Sequence, residues 1–251
     1  MNLTEKRFAL LVVPAMVILT SLLAGSSPTL AQVRTAFVGQ ARVLESDETG
    51  VSHPVGLAFL PQTNTFQVVG GRGPGQPAPP ITDLVRLSSL GDQVGAVRIA
   101  AAVKDPINMV FDPSAHRLLL FQAPAQQLIT VLTGTDDHLD PGTLVRHDAR
   151  HFGLQDPQGM AVDPASGHVF ILDAGGPRLV QVVPEPDGTF DAAVISSVDL
   201  RFTGLGEVRG LAFDPSTGHL FLFSPPDQNL YELTQTGQIV VRRDLSAFPL
   251  R

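Results

Sequence analysis

The chain has 251 residues, 43% of them apolar, with 24 acidic against 17 basic side chains and a formal net charge of −7. It contains no cysteine, so neither disulfides nor thiolate-bound zinc can hold it, and the fold must stand on burial. An acidic chain without a basic cluster excludes nucleic acid and anionic membrane surfaces as partners.

In chain order, Lys6 and Arg7 precede an apolar run of 16 residues, Phe8–Leu23, and a Thr29-Leu30-Ala31 step. This is the charged, apolar, small-residue order of a secretory signal, with removal expected after Ala31. The alternative is an uncleaved membrane anchor, for which the run is short of the ~20 residues that span a bilayer. Ser26 stands where a lipoprotein signal needs cysteine, which excludes lipid anchoring by that route. Removing residues 1–31 takes the formal charge from −7 to −8 and leaves a periplasmic or secreted domain with no further membrane segment. Residues 32–52 read as one strand, Ala36–Leu44, and a linker.

Four versions of one hairpin follow: Val55–Val69, Ile107–Phe121, Gln158–Leu172 and Arg209–Phe223. Their turn prolines, Pro61, Pro113, Pro164 and Pro215, are 52, 51 and 51 residues apart. A fixed period of this size signals a repeat architecture. Each repeat divides into four strands. They are predicted near 55–60, 65–69, Ile81–Leu87 and Val94–Ala101 in the first repeat, and at Asn108–Phe111, Leu118–Phe121, Gln127–Leu132 and Thr143–His147 in the second. The third gives Gly159–Val162, Val169–Leu172, Arg178–Val183 and Ala193–Leu200; the fourth gives Gly210–Phe213, Leu220–Phe223, Asn229–Leu233 and Gln238–Arg243. The first two strands of each are continuously apolar and should be buried on both faces, whereas the outer two carry more polar positions. Such a unit is a β-propeller blade. The fold class is therefore all-β, with blades over about 53–104, 105–155, 156–206 and 207–251.

Turn chemistry supports the register. Asn64, His116, Gly167 and Gly218 close the hairpins, and these residue types tolerate positive φ. Gly56, Gly159 and Gly210 open the inner strands, where crowding at the axis leaves no room for a Cβ; the second repeat has Asn108 there.

The run Asp156-Pro157-Gln158-Gly159-Met160-Ala161-Val162-Asp163-Pro164, then Gly167-His168-Val169-Phe170 and Asp173, resembles NHL-repeat and gluconolactonase-like propellers. The likeness covers roughly residues 53–250, with Gly70, Gln122 and Ser224 in place of Asp173 in the other repeats. It implies a ring of about six blades, so the four repeats read as an incomplete ring; a closed four-bladed ring with a loose N-terminal strand is the alternative. The resembling lactonases hold a metal with single Glu, Asn and Asp residues spread over blades, and Asn108 alone has such a residue type at an inner-strand start.

Before the inner strands stand His53, Asp105, Asp156 and Glu207, again 52, 51 and 51 residues apart. On the funnel face they would ring the axis, with Asn108, Gln158, Asp173 and Arg209 nearby. Oxygen-rich convergent ligands suit a calcium-like cation, which could polarise a lactone or ester carbonyl. Equally, Asp-Pro and His-Pro are turn openers, and Arg209 can pair with Glu207 or Asp156 to neutralise the mouth. Thr135–Asp140 with His147, Asp148 and His151 matches no metal spacing and reads as a solvated loop. Gly70–Pro80 reads as a mobile loop able to meet a partner. No Gly-x-Ser-x-Gly elbow or phosphate-cradling glycine loop occurs, which excludes serine hydrolases and nucleotide binding. Three readings remain: an exported scaffold binding a protein or glycan; a metal-dependent hydrolase or lyase using His53, Asp105, Asn108, Asp156 and Glu207; and a truncated product without independent activity.

Overall fold

A computed structural model describes the backbone at 7–10, 34–37 and 42–45, and residues 51, 54–70, 82–99, 106–134, 136 and 138–248. Three short strands come first: β1 (Arg7–Leu10), β2 (Arg34–Phe37) and β3 (Arg42–Glu45). Blade 1 is β4 (Pro54–Leu60), β5 (Thr65–Gly70), β6 (Thr82–Ser88) and β7 (Gln93–Ile99). Blade 2 is β8 (Pro106–Asp112), β9 (Arg117–Gln122), β10 (Gln127–Leu132) and β11 (Val145–Asp148). Blade 3 is β12 (Pro157–Val162), β13 (Val169–Asp173), β14 (Arg178–Val183) and β15 (Val194–Asp199). Blade 4 is β16 (Arg209–Asp214), β17 (His219–Ser224), β18 (Asn229–Leu233) and β19 (Ile239–Asp244). Each blade is an antiparallel meander in sequence order, as the repeat demanded.

The hairpins close as their residues require. Asn64, His116, Gly167 and Gly218 have φ of 51°, 47°, 70° and 71°. The aspartates that open the turns accept from the backbone two residues on: Ser114 N to Asp112 Oδ1 at 3.1 Å, Ala165 N to Asp163 at 2.9 Å and Ser216 N to Asp214 at 2.9 Å. A short polar side chain thus replaces a missing backbone partner at each corner.

Blades stack through their inner strands, β4 on β8, β8 on β12 and β12 on β16. The alternation along a strand sends successive side chains to opposite faces. Leu118 and Leu120 of β9 therefore join the core shared with blade 1, while Leu119 and Phe121 join the core shared with blade 3. In β13, Val169 and Ile171 face blade 2, and Phe170 and Leu172 face blade 4. Two buried faces explain why these strands are apolar throughout. Blade 4 departs from the expectation: along β17, Leu220, Leu222 and Ser224 are buried, but His219, Phe221 and Phe223 are only half-buried. Among the described residues, one blade packs on blade 4 rather than two, and no core joins it to blade 1.

Two other expectations are corrected. The single strand at 36–44 is instead split into β2 and β3. β2 adds to the outer edge of blade 4, parallel to β19 with Val241 opposite Arg34, and β3 pairs antiparallel with β1. Gly56 and Gly159 are crowded as expected: a Cβ on Gly159 would lie 2.5 Å from Gly210 C and 2.6 Å from Leu211 N. Gly210 is not; nothing approaches within 4 Å, and its glycine serves a φ of +64°. The rest of the signal or anchor segment, the 71–80 part of the long loop and residues 249–251 lie outside the described residues.

Candidate functional site on the funnel face

Each inner strand begins with a register shift against its neighbour, between Pro54 and Gly56, Pro106 and Asn108, Pro157 and Gly159, and Arg209 and Ala212. A bulge bends the strand and re-aims its side chains, and it falls where the sequence placed its candidates. The funnel end of blade 3 is one row of partners, Pro157–Asp173–Arg178–Asp199. The connections entering β12 and β16 cross this end of the sheets.

Four of the sequence-predicted residues meet here in one hydrogen-bonded line. Gln158 Nε2 donates to Asp156 Oδ1 at 2.6 Å, and Arg209 Nη1 donates to Gln158 Oε1 at 3.4 Å across the blade boundary. Arg209 Nε donates to Glu207 Oε1 at 2.9 Å, and its Nη2 reaches the same oxygen. Gln158 and Arg209 are 51 residues apart and share one repeat position, so stacking β12 on β16 brings them together. The line is exposed at Asp156, Glu207 and Arg209.

Asn108 and Asp173 point elsewhere. Asn108 Nδ2 donates to Met160 O of the next blade at 3.0 Å, and its Oδ1 accepts from Met109 N at 2.8 Å. It stitches blades 2 and 3 where the other repeats use glycine. Asp173 is fully buried and accepts from Asp156 N at 2.7 Å, Gln155 N at 3.1 Å and Arg178 Nη2 at 2.8 Å. Burial alone would push its pKa up; the hydrogen bonds from the Asp156 and Gln155 amides and from Arg178 outweigh this, so the carboxyl titrates below its ordinary 3.8. Arg178 also donates to Gly153 O at 2.5 Å. Asp173 thus fixes the loop that presents Asp156.

His53 and Asp105 lie outside the described residues. Of the remaining calcium-like set, Asp156 is engaged by Gln158 and Glu207 by Arg209, and no three His, Asp or Glu side chains among the described residues are grouped to hold a metal. Among the described residues, Asp156 and Glu207 therefore serve as hydrogen-bond acceptors within the line. Of the second cluster, Thr135 and Asp137 lie outside the described residues. Asp136 Oδ1 accepts from His138 N at 3.2 Å and Asp140 Oδ1 from Gly142 N at 3.0 Å, which is turn chemistry.

Sequence reasoning missed a repeated device in the loops that lead to β12 and β16. Asp148 accepts from Arg150 Nε at 2.9 Å, and Asp199 accepts from Arg201 Nε at 2.9 Å, both in two-pronged pairs. The charge-assisted bonds from Arg150 hold the Asp148 carboxyl down at about 2. Each pair opens a short 3₁₀ turn closed by a left-handed glycine, Gly153 or Gly204, and followed by a buried leucine, Leu154 or Leu205. The signal was available: Asp-x-Arg recurs at an offset of 51 residues.

This architecture defines the chain as a β-propeller. No known family description matches the sequence, and no characterised protein matches it at the sequence level. Solved structures resemble its fold. A chain of the nidogen/laminin complex superposes with a TM-score of 0.52 at 17% identity, covering 79% of this chain and 67% of that one. A glutaminyl cyclase from Myxococcus xanthus gives 0.54 at 19% identity, covering 77% of this chain and 71% of that one. A protein of unknown function from Bacteroides thetaiotaomicron gives 0.51 at 10% identity, with 74% of this chain matching 42% of the other.

Proposed function

We propose that the chain is an exported, non-catalytic propeller of the NHL type that holds a protein or carbohydrate partner on its funnel face. The observation that carries this reading is the exposed line Asp156–Gln158–Arg209–Glu207, which spans two blades. It presents carboxylate, amide and guanidinium groups already oriented by one another, so a partner exchanging hydrogen bonds with it loses little freedom of those side chains. The line holds no hydroxyl or thiol that an adjacent base could activate as a nucleophile. A metal-dependent hydrolase reading would need a cation to draw Asp156 and Glu207 away from the Gln158 and Arg209 partners they already hold. That one of the similar folds comes from a complex of two proteins, nidogen and laminin, accords with a binding role.

The test uses the mature chain from Gln32 against a glycan array and against the extracytoplasmic protein fraction of its source. Wild type should retain a ligand that the Gln158→Ala/Arg209→Ala variant holds at least about tenfold more weakly, the scale of a binding hot spot. Undiminished binding by that variant, or calcium-dependent lactone turnover by the wild type, would overturn the reading. Export is checked separately: N-terminal sequencing should begin at Gln32.

A further inference from the structure

The loops Asp148–Asp156 and Asp199–Glu207 share one construction, and they differ in what stands at the tip. His151 occupies that position in the first and packs edge-on against the buried Phe152, ring centroids 4.7 Å apart. Phe202 occupies it in the second with 89% of its surface exposed, the most exposed large apolar side chain among the described residues. The residue after it is Thr203, so Phe202 has no buried aromatic beside it in the loop. Its backbone is nevertheless fixed. Thr203 N donates to Leu200 O at 3.0 Å, Thr203 Oγ1 donates to the same oxygen at 2.5 Å, and Arg201 N donates to Asp199 Oδ1 at 2.8 Å. Leu200 and Leu205 are buried on either side of the tip.

We infer that Phe202 is the apolar anchor by which the funnel face docks a protein partner, entering a pocket on that partner while Arg201 and the Glu207–Arg209 pair meet the polar rim around it. This rests on the funnel-face reading above and narrows it to protein. The loop carries the chain from the outer strand β15 to the inner strand β16, so the ring and the polar line share one end of the blades. Leaving a phenylalanine in water forgoes the stabilisation that burying it would give, and here a braced loop holds it there. A saccharide covers one face of an aromatic ring. A ring standing clear on every side is buried fully only by a concave apolar pocket, which a folded protein supplies. Aromatic and arginine side chains presented together on rigid backbone are the composition of protein–protein hot spots.

The test places p-benzoylphenylalanine at 202 in the full-length chain, expressed in its source cells, with the same probe at Leu90 as control. Leu90 is 64% exposed but sits in the β6–β7 turn, where Ser88 pairs with Thr65 and Thr65 with Leu60, at the opposite end of the blades. Irradiation should give one protease-sensitive adduct at 202 and none at 90. The captured protein, purified, should bind Phe202→Ala at least about tenfold more weakly than wild type, with an unchanged thermal midpoint. No adduct, the same adduct at both positions, an adduct removed by glycosidase but not by protease, or wild-type affinity in Phe202→Ala each overturns the inference. If Phe202→Ala is silent while Arg209→Ala abolishes binding, the anchor falls and the funnel-face reading stands. If both are silent, both fall.

Discussion

At the scale of single residues, the funnel face separates side chains that build from side chains that present. Asp173 builds: its buried carboxylate gathers two loop amides and Arg178, and the loop it secures carries Asp156. Its folded-state pKa is depressed, so its contribution is complete above the ordinary value of 3.8 and fades as pH falls from there through the lower folded value. Asp173→Asn should cost about 3 kcal/mol at neutral pH, the low end for breaking a buried pair, because Arg178 keeps 30% of its side chain in water. Urea titrations from pH 7 to 3 should show the gap to wild type narrowing below pH 4. A gap independent of pH would show that the carboxylate charge is not what holds the loop.

At the scale of elements, the strands and turns were legible because period and turn chemistry act locally. Gln127–Leu132, Arg178–Val183 and Asn229–Leu233 form as predicted, and the four residues predicted to close the inner hairpins are left-handed. The meeting of Asp156, Gln158, Arg209 and Glu207 was legible only as proximity. Which atom donates to which depends on the bulge and on how closely β12 approaches β16, and neither is written in a spacing. Asn108 shows the limit well: its residue type suggested a ligand, while its position, where glycine stands in the other repeats, made it a stitch between blades. The glycines sharpen the same lesson, since one residue type serves two causes. Gly159→Ala drives a Cβ into the backbone of blade 4, which cannot move aside as a side chain would. It should cost at or above the top of the roughly 1–3 kcal/mol range for overpacking. Gly210→Ala meets no atom and is left with only the left-handed backbone, about 1–2 kcal/mol. Equal shifts of the urea midpoint in the two variants would mean that β12 and β16 are not in close contact in solution.

At the scale of the molecule, the blades form a one-dimensional array in which each is stabilised by itself and by its neighbours. Blades 2 and 3 each lie between two cores, and every residue of β9 and β13 is buried. Blade 4 shares one core among the described residues, and β17 alternates buried with half-buried positions. At the outer edge, β2 extends the blade by backbone pairing to β19. Local opening follows buried contact rather than hydrogen-bond count, so blade 4 should open first although its ladder is complete. Native-state hydrogen exchange should therefore find the amides of β17 and β18 exchanging through an opening of lower free energy and weaker denaturant dependence than those of β9 and β13. The funnel-face line joins blade 4 to blade 3 through Arg209 and Gln158, so a partner seated across both would slow exchange in β17 and β18 most. Uniform protection across blades 2, 3 and 4 in the free chain would mean that the array unfolds as one cooperative unit, and that the half-buried side of blade 4 costs it nothing.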